Sequence, residues 1–278
     1  MTLPDAAIAV KVDPTNPGQF FACCGLLELA DRLWPGAEGW FASGEFHIAF
    51  SEKQGTLREL LAILLQNLPE RLERMEANGL EIPEIIASLK FKFGDEPATT
   101  LILDAWNRIA VMKGVPQVVS NPPWNFWAGN QKSFDIWCGL REVLTAQLKR
   151  FDDAQLQALF TQRIFQKGRF GFDPGPAWNA LDVGFSLNEH NTKVESSAAV
   201  ELLAAFGLQR FRPVMQDGRE SFEYTTWHVP LAPSAAAAAM SGAITDSQSA
   251  RYRGCVVSRG QYAALGVSFP IREGASRE

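Results

Sequence analysis

The first hundred residues alternate between short strand patterns and longer helical patterns. Residues 6–12 (AAIAVKV) have the apolar pattern of a short strand. The next stretch, TNPGQFFACCGLLELADRLW, carries an apolar stripe at helical spacing. In it, Asn16 can cap the first turn, and Pro17 occupies a position where a missing N–H has no cost. The rest of this part predicts two strands within residues 39–50, a helix over 56–78 and a strand over 99–106.

The order strand, helix, strand, strand, helix, strand is that of a ferredoxin-like fold, in which two helices cover one face of an antiparallel sheet. The rest of the chain adds further helical patterns and strand patterns. These are helices over about 131–150, 152–166, 198–206 and 235–239, strands over 178–185 and 222–229, and a hairpin over 251–272. The predicted fold class is therefore α+β, with a ferredoxin-like sheet, additional helices and a C-terminal β-hairpin.

Length and charge divide the chain into candidate parts. Its 278 residues can form one domain over 1–278, or two ferredoxin-like halves over 1–112 and 113–278. Residues 1–104 carry a net charge of −8, whereas residues 105–278 carry +3. The overall charge of −5 argues against a protein that coats nucleic acid by bulk attraction. We therefore expect any contact with phosphate groups in the basic, aromatic-rich second half.

Composition also bears on where the protein works. The sequence has no apolar run long enough to span a membrane, and its N-terminus lacks the pattern of a secretory signal. The four cysteines form no CxxC pair, and an adjacent pair such as Cys23 and Cys24 is poor geometry for an internal disulfide. We expect a cytoplasmic protein with reduced thiols and no membrane contact.

Familiar cofactor and catalytic motifs are absent from the sequence. It contains no P-loop, no GxGxxG, no HExxH, no calcium-binding loop and no GxSxG. The three histidines are not spaced to chelate a metal, so we expect no metal and no cofactor. His190 is either a loop histidine or, with Lys193 stabilising charge, the general base of a ribonuclease-type cleavage. Asp173 and Asp182 are either a carboxylate pair that does acid/base chemistry or holds a divalent ion, or they are a turn residue and a capping or sheet-edge residue.

The first candidate binding stretch is PPWNFWAGNQKSFDIW, residues 122–137, which surrounds the start of a predicted helix. Asn130 or Ser133 can cap that helix, whose free N–H groups would form an anion site. The upstream rings can stack on bases or cover the helix end as part of the core. The candidate nucleic-acid contacts in this stretch are Trp124, Trp127, Asn130, Gln131 and Lys132.

Two more stretches combine cations with features suited to a nucleic-acid strand. In FTQRIFQKGRFGFDPGPAW, basic residues alternate with phenylalanines around glycines, an arrangement that suits RNA or DNA and also suits a solvated turn over a core. Its candidate contacts are Arg163, Lys167 and Arg169. The carboxylate-free C-terminal hairpin can line a backbone channel or protect a sheet edge from aggregation. Its candidate contacts are Arg251, Arg253 and Arg259.

Three segments of the sequence resemble a known family. They are DPTNPGQFFACCGLLELAD, FWAGNQKS and GFDPGPAWNALDVGFSLNEHNTKVESSAAVELLAAFGLQRFRP, in that order. Together they resemble a small protein family of type I-U (also called I-G) CRISPR-Cas loci, which belongs to the RAMP-like group. Residues 50–120 and the last twenty residues contribute little to this resemblance.

The resemblance implies a ferredoxin-like or RRM-like fold that holds guide RNA inside a multi-subunit interference complex acting in antiviral defence. It implies a non-catalytic subunit, because in such complexes a separate helicase-nuclease cuts DNA and another subunit trims the guide. The implied partners are guide RNA, target DNA and other effector subunits. Base pairing would then supply sequence recognition, while this chain reads backbone and shape. The alternative is an endoribonuclease that processes guide precursors with His190.

Overall fold

The computed structural model describes residues 3–51, 55–127, 130–175, 195–216, 218, 220–259 and 262–271. Over these residues the protein is a mixed α+β structure with six α-helices and several small antiparallel sheets. The helices are α1 (Pro17–Leu33), α2 (Leu57–Gln66), α3 (Ser133–Leu148), α4 (Asp153–Gln157), α5 (Ala198–Arg210) and α6 (Pro233–Met240). Short 3₁₀ turns cover Glu84–Ile86, Pro97–Thr99 and Leu159–Thr161. None of these helices is both long and apolar enough to cross a membrane.

The strands pair only in antiparallel fashion in this part of the chain. In chain order they are β1 (Ile8–Lys11), β2 (Ala37–Ala42), β3 (Glu45–Phe50), β4 (Glu70–Leu72), β5 (Ser88–Lys92), β6 (Thr100–Leu103), β7 (Asn107–Met112), β8 (Val115–Ser120), β9 (Ile164–Phe165), β10 (Glu195–Ser196), β11 (Met215–Gln216), β12 (Ser221–Thr225), β13 (Arg251–Arg259), β14 (Tyr262–Leu265) and β15 (Phe269–Pro270). The sheets have the orders β1-β3-β2, β4-β5-β6, β7-β8, β10-β9 and β11-β12-β13-β14, and β15 pairs with β13.

Helices α1 and α5 cross at the centre of the core. Both are apolar around most of their circumference, which is typical of helices with no solvent face. Gly25 of α1 and Gly207 of α5 let the two backbones touch, because a Cβ on either glycine would overlap a carbonyl oxygen of the other helix. The buried carboxylate of Glu28 also joins the helices by accepting a 2.5 Å bond from Nε of Arg210.

The start of the chain follows the predicted order. Asn16 caps α1 by accepting a 3.0 Å bond from the Gln19 N–H, and Pro17 is the first helical residue, as predicted. Strands β2 and β3 form the predicted hairpin, and β1 pairs with β3. In the unit β1–α1–β2–β3, strand β3 lies between β1 and β2. The strand predicted over 99–106 corresponds to β6, which pairs with β5 in a different sheet.

Two predicted helices are wrong in length. The helix predicted over 56–78 begins at a Thr56–Glu59 capping box but ends at Gln66, and residues 70–72 instead form β4 against β5. Pro69 explains this end, since the residue before a proline is driven out of the helical region. The helix predicted over 152–166 stops at Gln157, and Ile164–Phe165 pair with β10. The C-terminal hairpin is confirmed as the pair β13 and β14.

Candidate nucleic-acid interface

The start of α3 is held by a buried hydroxyl rather than by a side-chain cap. Lys132 is the N-cap residue, and its side chain makes no capping hydrogen bond. The Oγ of Ser133, fully buried, donates a 2.7 Å bond to the Ala87 carbonyl and so is engaged away from the helix end. The prediction that Asn130 or Ser133 caps this helix is therefore wrong. The bond to Ala87 satisfies a hydroxyl that burial would otherwise leave without a partner.

Trp124 and Trp127 belong to the core. Each is only 5% exposed. The Trp127 ring contacts Trp106 and Phe170 at centroid distances of 5.6 and 5.4 Å, and its Nε1 donates to the Ile85 carbonyl at 3.0 Å. A buried indole with its N–H satisfied is a packing anchor. This burial contradicts the prediction that one of these rings presents a face to a base.

Lys132 lies beside an acid. Its Nζ is 2.8 Å from Oε1 of Glu84, and Nη1 of Arg71 is 2.7 Å from the same oxygen. The hydrogen bond from Lys132 and the charges of both cations lower the pKa of Glu84. The positive charge expected at the start of α3 is thus largely balanced, which weakens this position as an anion site.

The first two candidate stretches lie side by side. The Gln131 Nε2 donates to the Lys167 carbonyl at 3.5 Å. Asn130 and Lys167 are exposed, and Gln131 and Lys132 are half-buried. We call Asn130, Gln131, Lys132 and Lys167 the Gln131–Lys167 surface. Its two segments are 36 residues apart at the Gln131–Lys167 bond, a proximity that no local sequence pattern could have revealed.

Arg163 bonds one buried carboxylate, and the charge of Arg169 acts on another. Arg163 makes two bonds to the Asp173 carboxylate, from Nη2 to Oδ1 at 3.2 Å and from Nε to Oδ2 at 3.3 Å. Arg169 is half-buried, and its charge lowers the pKa of the buried Glu201 against the effect of burial. Of the phenylalanines interleaved with these cations, Phe170 and Phe172 are fully buried. This burial favours the interpretation of the stretch as a turn over the core.

The arginines of the C-terminal hairpin pair with one carboxylate. Glu223 of β12 bonds Arg253 at 2.6 Å and also bonds Arg251. Burial alone would raise the pKa of Glu223, but the bonds and charges of the two arginines hold it below the usual value. Arg251 and Arg253 keep exposed side chains, so the pair is accessible although neutralised in part. The side chain of Arg259 lies outside the described residues, and its backbone pairs with Tyr262.

A buried polar cluster lies at the N-termini of α1 and α5, and the sequence analysis did not identify it. The Asp173 carboxylate accepts from the Ser197 N–H at 2.9 Å, from Arg163 and from Nδ2 of Asn16 at 3.4 Å. The Glu201 carboxylate accepts three backbone N–H bonds, from Gly171 at 2.8 Å, Phe172 at 3.2 Å and Asp173 at 3.0 Å. Burial raises the pKa of Glu201 to about 7, while the backbone bonds oppose that change.

The cluster borders a cleft of about 500 Å³. Charged residues of both signs line this cleft, namely Lys11, Asp13, Glu45 and Arg163. Of the two capping residues in the cluster, the sequence predicts Asn16 for α1, whereas the cap of α5, Ser197, is seen only in the structure. From the sequence, Asp173 is either a turn residue or half of a carboxylate pair with Asp182, which lies outside the described residues. The arrangement fixes the 171–173 turn against the two helix ends.

The residues of the alternative ribonuclease site, His190 and Lys193, also lie outside the described part of the chain. Within the described part, no group of three or more His, Cys, Asp or Glu side chains is arranged to hold a metal ion.

Comparisons with protein-family models, with curated proteins and with solved structures each found no match.

Proposed function

We propose that this protein is a cytoplasmic, non-catalytic subunit of a type I-U (I-G) CRISPR RNA-guided interference complex. In this role it would contact guide RNA or target DNA together with other effector subunits. The observation that carries the proposal is that the three segments with family resemblance meet in space. Asn16 of the first segment bonds Asp173 of the third at 3.4 Å. The Phe126 ring of the second lies 5.9 Å from the Phe172 ring of the third.

The contacts among the three segments support the proposal because they place the segments against one another in one part of the fold. A Cβ on Gly18 of the first segment would overlap the Phe172 carbonyl of the third. Gly25 and Gly207, which belong to the first and third segments, form the α1–α5 contact. Segments that must fit each other at van der Waals distance constrain one another's sequence, so their joint resemblance to one family points to a shared fold.

A ferredoxin-like origin is part of the same proposal. The unit β1–α1–β2–β3 has the strand order β1-β3-β2 expected for three of the four strands of that fold. A second unit, β10–α5–β11–β12–α6–β13, repeats the order strand, helix, strand, strand, helix, strand. We propose that the chain contains two such halves, which contact each other through α1 and α5. Some strands of each half pair in a different sheet from the other strands of that half.

Nucleic acid is proposed to bind at the Gln131–Lys167 surface. Lys167 supplies an exposed cation there, and Asn130 and Gln131 supply amide groups that can bond phosphate or sugar oxygens. Arg163 is a weaker candidate because Asp173 already engages it through two bonds.

A salt titration of guide-RNA binding tests this assignment, with affinity measured by fluorescence anisotropy on the purified protein. Removing one phosphate contact from a single strand lowers the slope of log affinity against log salt by about 0.7. We expect that decrease for Lys167→Ala. The matched control is Lys149→Ala, an exposed lysine at the opposite end of α3, which should leave the slope unchanged. Binding that is insensitive to salt, or equal slopes for Lys167→Ala and the wild type, would contradict the proposal.

A further inference from the structure

The hairpin β7–β8 pairs with no other strand in the described part of the chain. Its register runs from Asn107 opposite Ser120 to Met112 opposite Val115. Lys113 and Gly114 form the turn with φ values of 52° and 80°, the left-handed geometry of a tight two-residue hairpin. The hairpin is therefore a regular two-stranded arm.

The end of this arm is apolar on both faces. Val111 is 70% exposed, Val115 55%, Met112 52% and Ile109 44%. Successive side chains of a strand point to opposite faces, so Val111 and Met112 expose apolar surface on opposite sides. Isolated two-stranded hairpins are only marginally stable in water, and clustered exposed apolar side chains mark interaction sites.

The base of the arm is firmly attached to the body. Asn107 Nδ2 donates to the Ile86 carbonyl and to Ser88 Oγ, each at 3.0 Å. Asn121 Nδ2 donates to the Ala105 carbonyl at 2.8 Å, and Val118 is buried. The body thus holds the base of the hairpin in a fixed place and leaves its end in solvent.

We propose that the arm end, Ile109 to Val115, docks into an apolar groove bordered by carboxylates on a different protein subunit of the complex. This inference rests on the proposed function. The positive charge of the arm indicates that acidic residues border the groove. Arg108 and Lys113 are the only charged side chains in the hairpin, and the sequence has no Asp or Glu from residue 105 to residue 134. An apolar groove with an acidic border complements both features.

The side chains of the arm favour protein over nucleic acid. Bases bind to aromatic side chains by stacking, and the phosphate backbone binds to clusters of cations. The hairpin from 107 to 120 contains no aromatic residue and only the two cations. Its exposed surface is that of an aliphatic plug, which fits a protein groove.

A second copy of this chain fits less well. Arm-to-arm contact would bring together Arg108 and Lys113 of two copies with no carboxylate of the arms between them. Insertion of the arm into a groove elsewhere on a second copy is a head-to-tail contact, which extends into open filaments unless it closes a ring. A different subunit avoids both problems.

The test is copurification of the tagged full-length chain with the other protein subunits of its locus, expressed with guide RNA, before and after nuclease treatment. The double variant Val111→Glu/Val115→Glu places carboxylates where the groove is proposed to be apolar and acidic. We expect its affinity for the partner subunit to fall at least about tenfold, from the lost apolar burial. The matched control is Val214→Glu, at an apolar residue that is 77% exposed outside the arm, and it should bind like the wild type.

A second variant tests the same docking surface with a substitution that preserves the hairpin turn. Lys113→Asn keeps the left-handed turn, because Asn-Gly is a preferred pair there, and it removes one cation. We expect a weaker and less salt-dependent association with unchanged thermal stability.

Four other results would each overturn the proposal in a different way. Arm variants that bind the partner like the wild type would overturn the docking proposal and leave the proposed function standing. A wild-type chain that brings down neither subunits nor RNA would overturn both. Association that nuclease abolishes would mean that the arm or its neighbours bind nucleic acid instead. A purified wild-type chain that is dimeric by light scattering, and monomeric with Val111→Glu/Val115→Glu, would identify a second copy as the occupant.

Discussion

Gly25 of α1 and Gly207 of α5 face each other so closely that the backbone nitrogen of each lies about 3 Å from the position of a Cβ on the other. The same Cβ atoms would overlap carbonyl oxygens, of Leu203 for Gly25 and of Phe21 for Gly207. Each overlapped carbonyl lies four residues before the opposing glycine. The contact is thus nearly symmetric about the point where the two helices cross, and backbone against backbone leaves little room for adjustment.

Alanine at either glycine should destabilise the protein. We expect Gly25→Ala and Gly207→Ala each to lower the free energy of unfolding by about 1–3 kcal/mol or more, since overpacking forces the helices apart. Gly139→Ala is the matched control, because it adds the same methyl group to an exposed helical position with nothing within 4 Å. That control should gain up to about 1 kcal/mol from helix propensity. Urea unfolding measures all three, and equal stabilities would contradict the close contact.

The Arg163–Asp173 pair should be coupled more strongly than a surface pair. A double-mutant cycle with Arg163→Met and Asp173→Asn should give a coupling energy of about 1.5–3 kcal/mol, because the carboxylate is buried and its hydrogen bonds to the arginine are charge-assisted. Arg74 and Glu81, which are 70% and 83% exposed, form the control pair and should couple by less than about 1 kcal/mol. Chemical denaturation of the four variants in each cycle provides the values. Equal coupling in the two cycles would argue against the buried role of Asp173.

Stability should depend on pH through Glu201. Burial raises the pKa of its carboxyl to about 7 in the folded protein, from 4.5 as the ordinary value. The folded state therefore binds more protons than the unfolded state between these pH values. Unfolding free energy should fall as pH rises through this window, by up to about 1.4 kcal/mol per pH unit.

Glu201→Gln should remove that slope and lower stability by about 1–3 kcal/mol at pH 4.5, because its amide would face a backbone N–H donor. The difference from the wild type should shrink as pH rises, since only the wild type loses stability through the window. Urea unfolding between pH 4.5 and 8 measures both effects. A slope that is the same in the variant and the wild type would rule out Glu201 as its source.

Removing Glu84 should strengthen nucleic-acid binding at the Gln131–Lys167 surface. Glu84→Gln frees Lys132 from its 2.8 Å ion pair, so affinity for guide RNA should rise and the salt slope should steepen by about 0.7. Glu76→Gln removes the same charge from a carboxylate that pairs with Lys90 instead, and it controls for net charge. Anisotropy titrations at several salt concentrations distinguish the two. The same gain in both variants would show that Lys132 has no specific part.

Several local features could be predicted because they depend on neighbouring residues. The Asn16 cap, the proline start of α1 and the β2–β3 hairpin each involve groups within a few residues, and all three are confirmed. The sequence predicts α2 too long because its apolar spacing continues past Pro69. The structure ends this helix three residues before that proline.

The burial and charge pairing of the candidate site residues depend on distant segments more than the helices do. An aromatic residue beside a cation has the same local pattern whether it stacks on a base or fills a core. The burial of Trp124 and Trp127 follows from rings that other segments supply, namely Trp106, Phe170 and Phe222. Whether a cation is neutralised also depends on distant residues, as the pairing of Lys132 with Glu84 illustrates.

The sequence alone predicts the mixed α+β class, the cap and proline start of α1, the β2–β3 hairpin, and the charge difference between the two parts of the chain. Those properties come from composition and from interactions over a few residues. The folded structure was needed to show which rings are buried, which cations have acidic partners, and that Asp173 and Glu201 bond one turn to two helix ends. Burial and charge pairing depend on groups far apart in the chain, and folding is what brings those groups within contact distance.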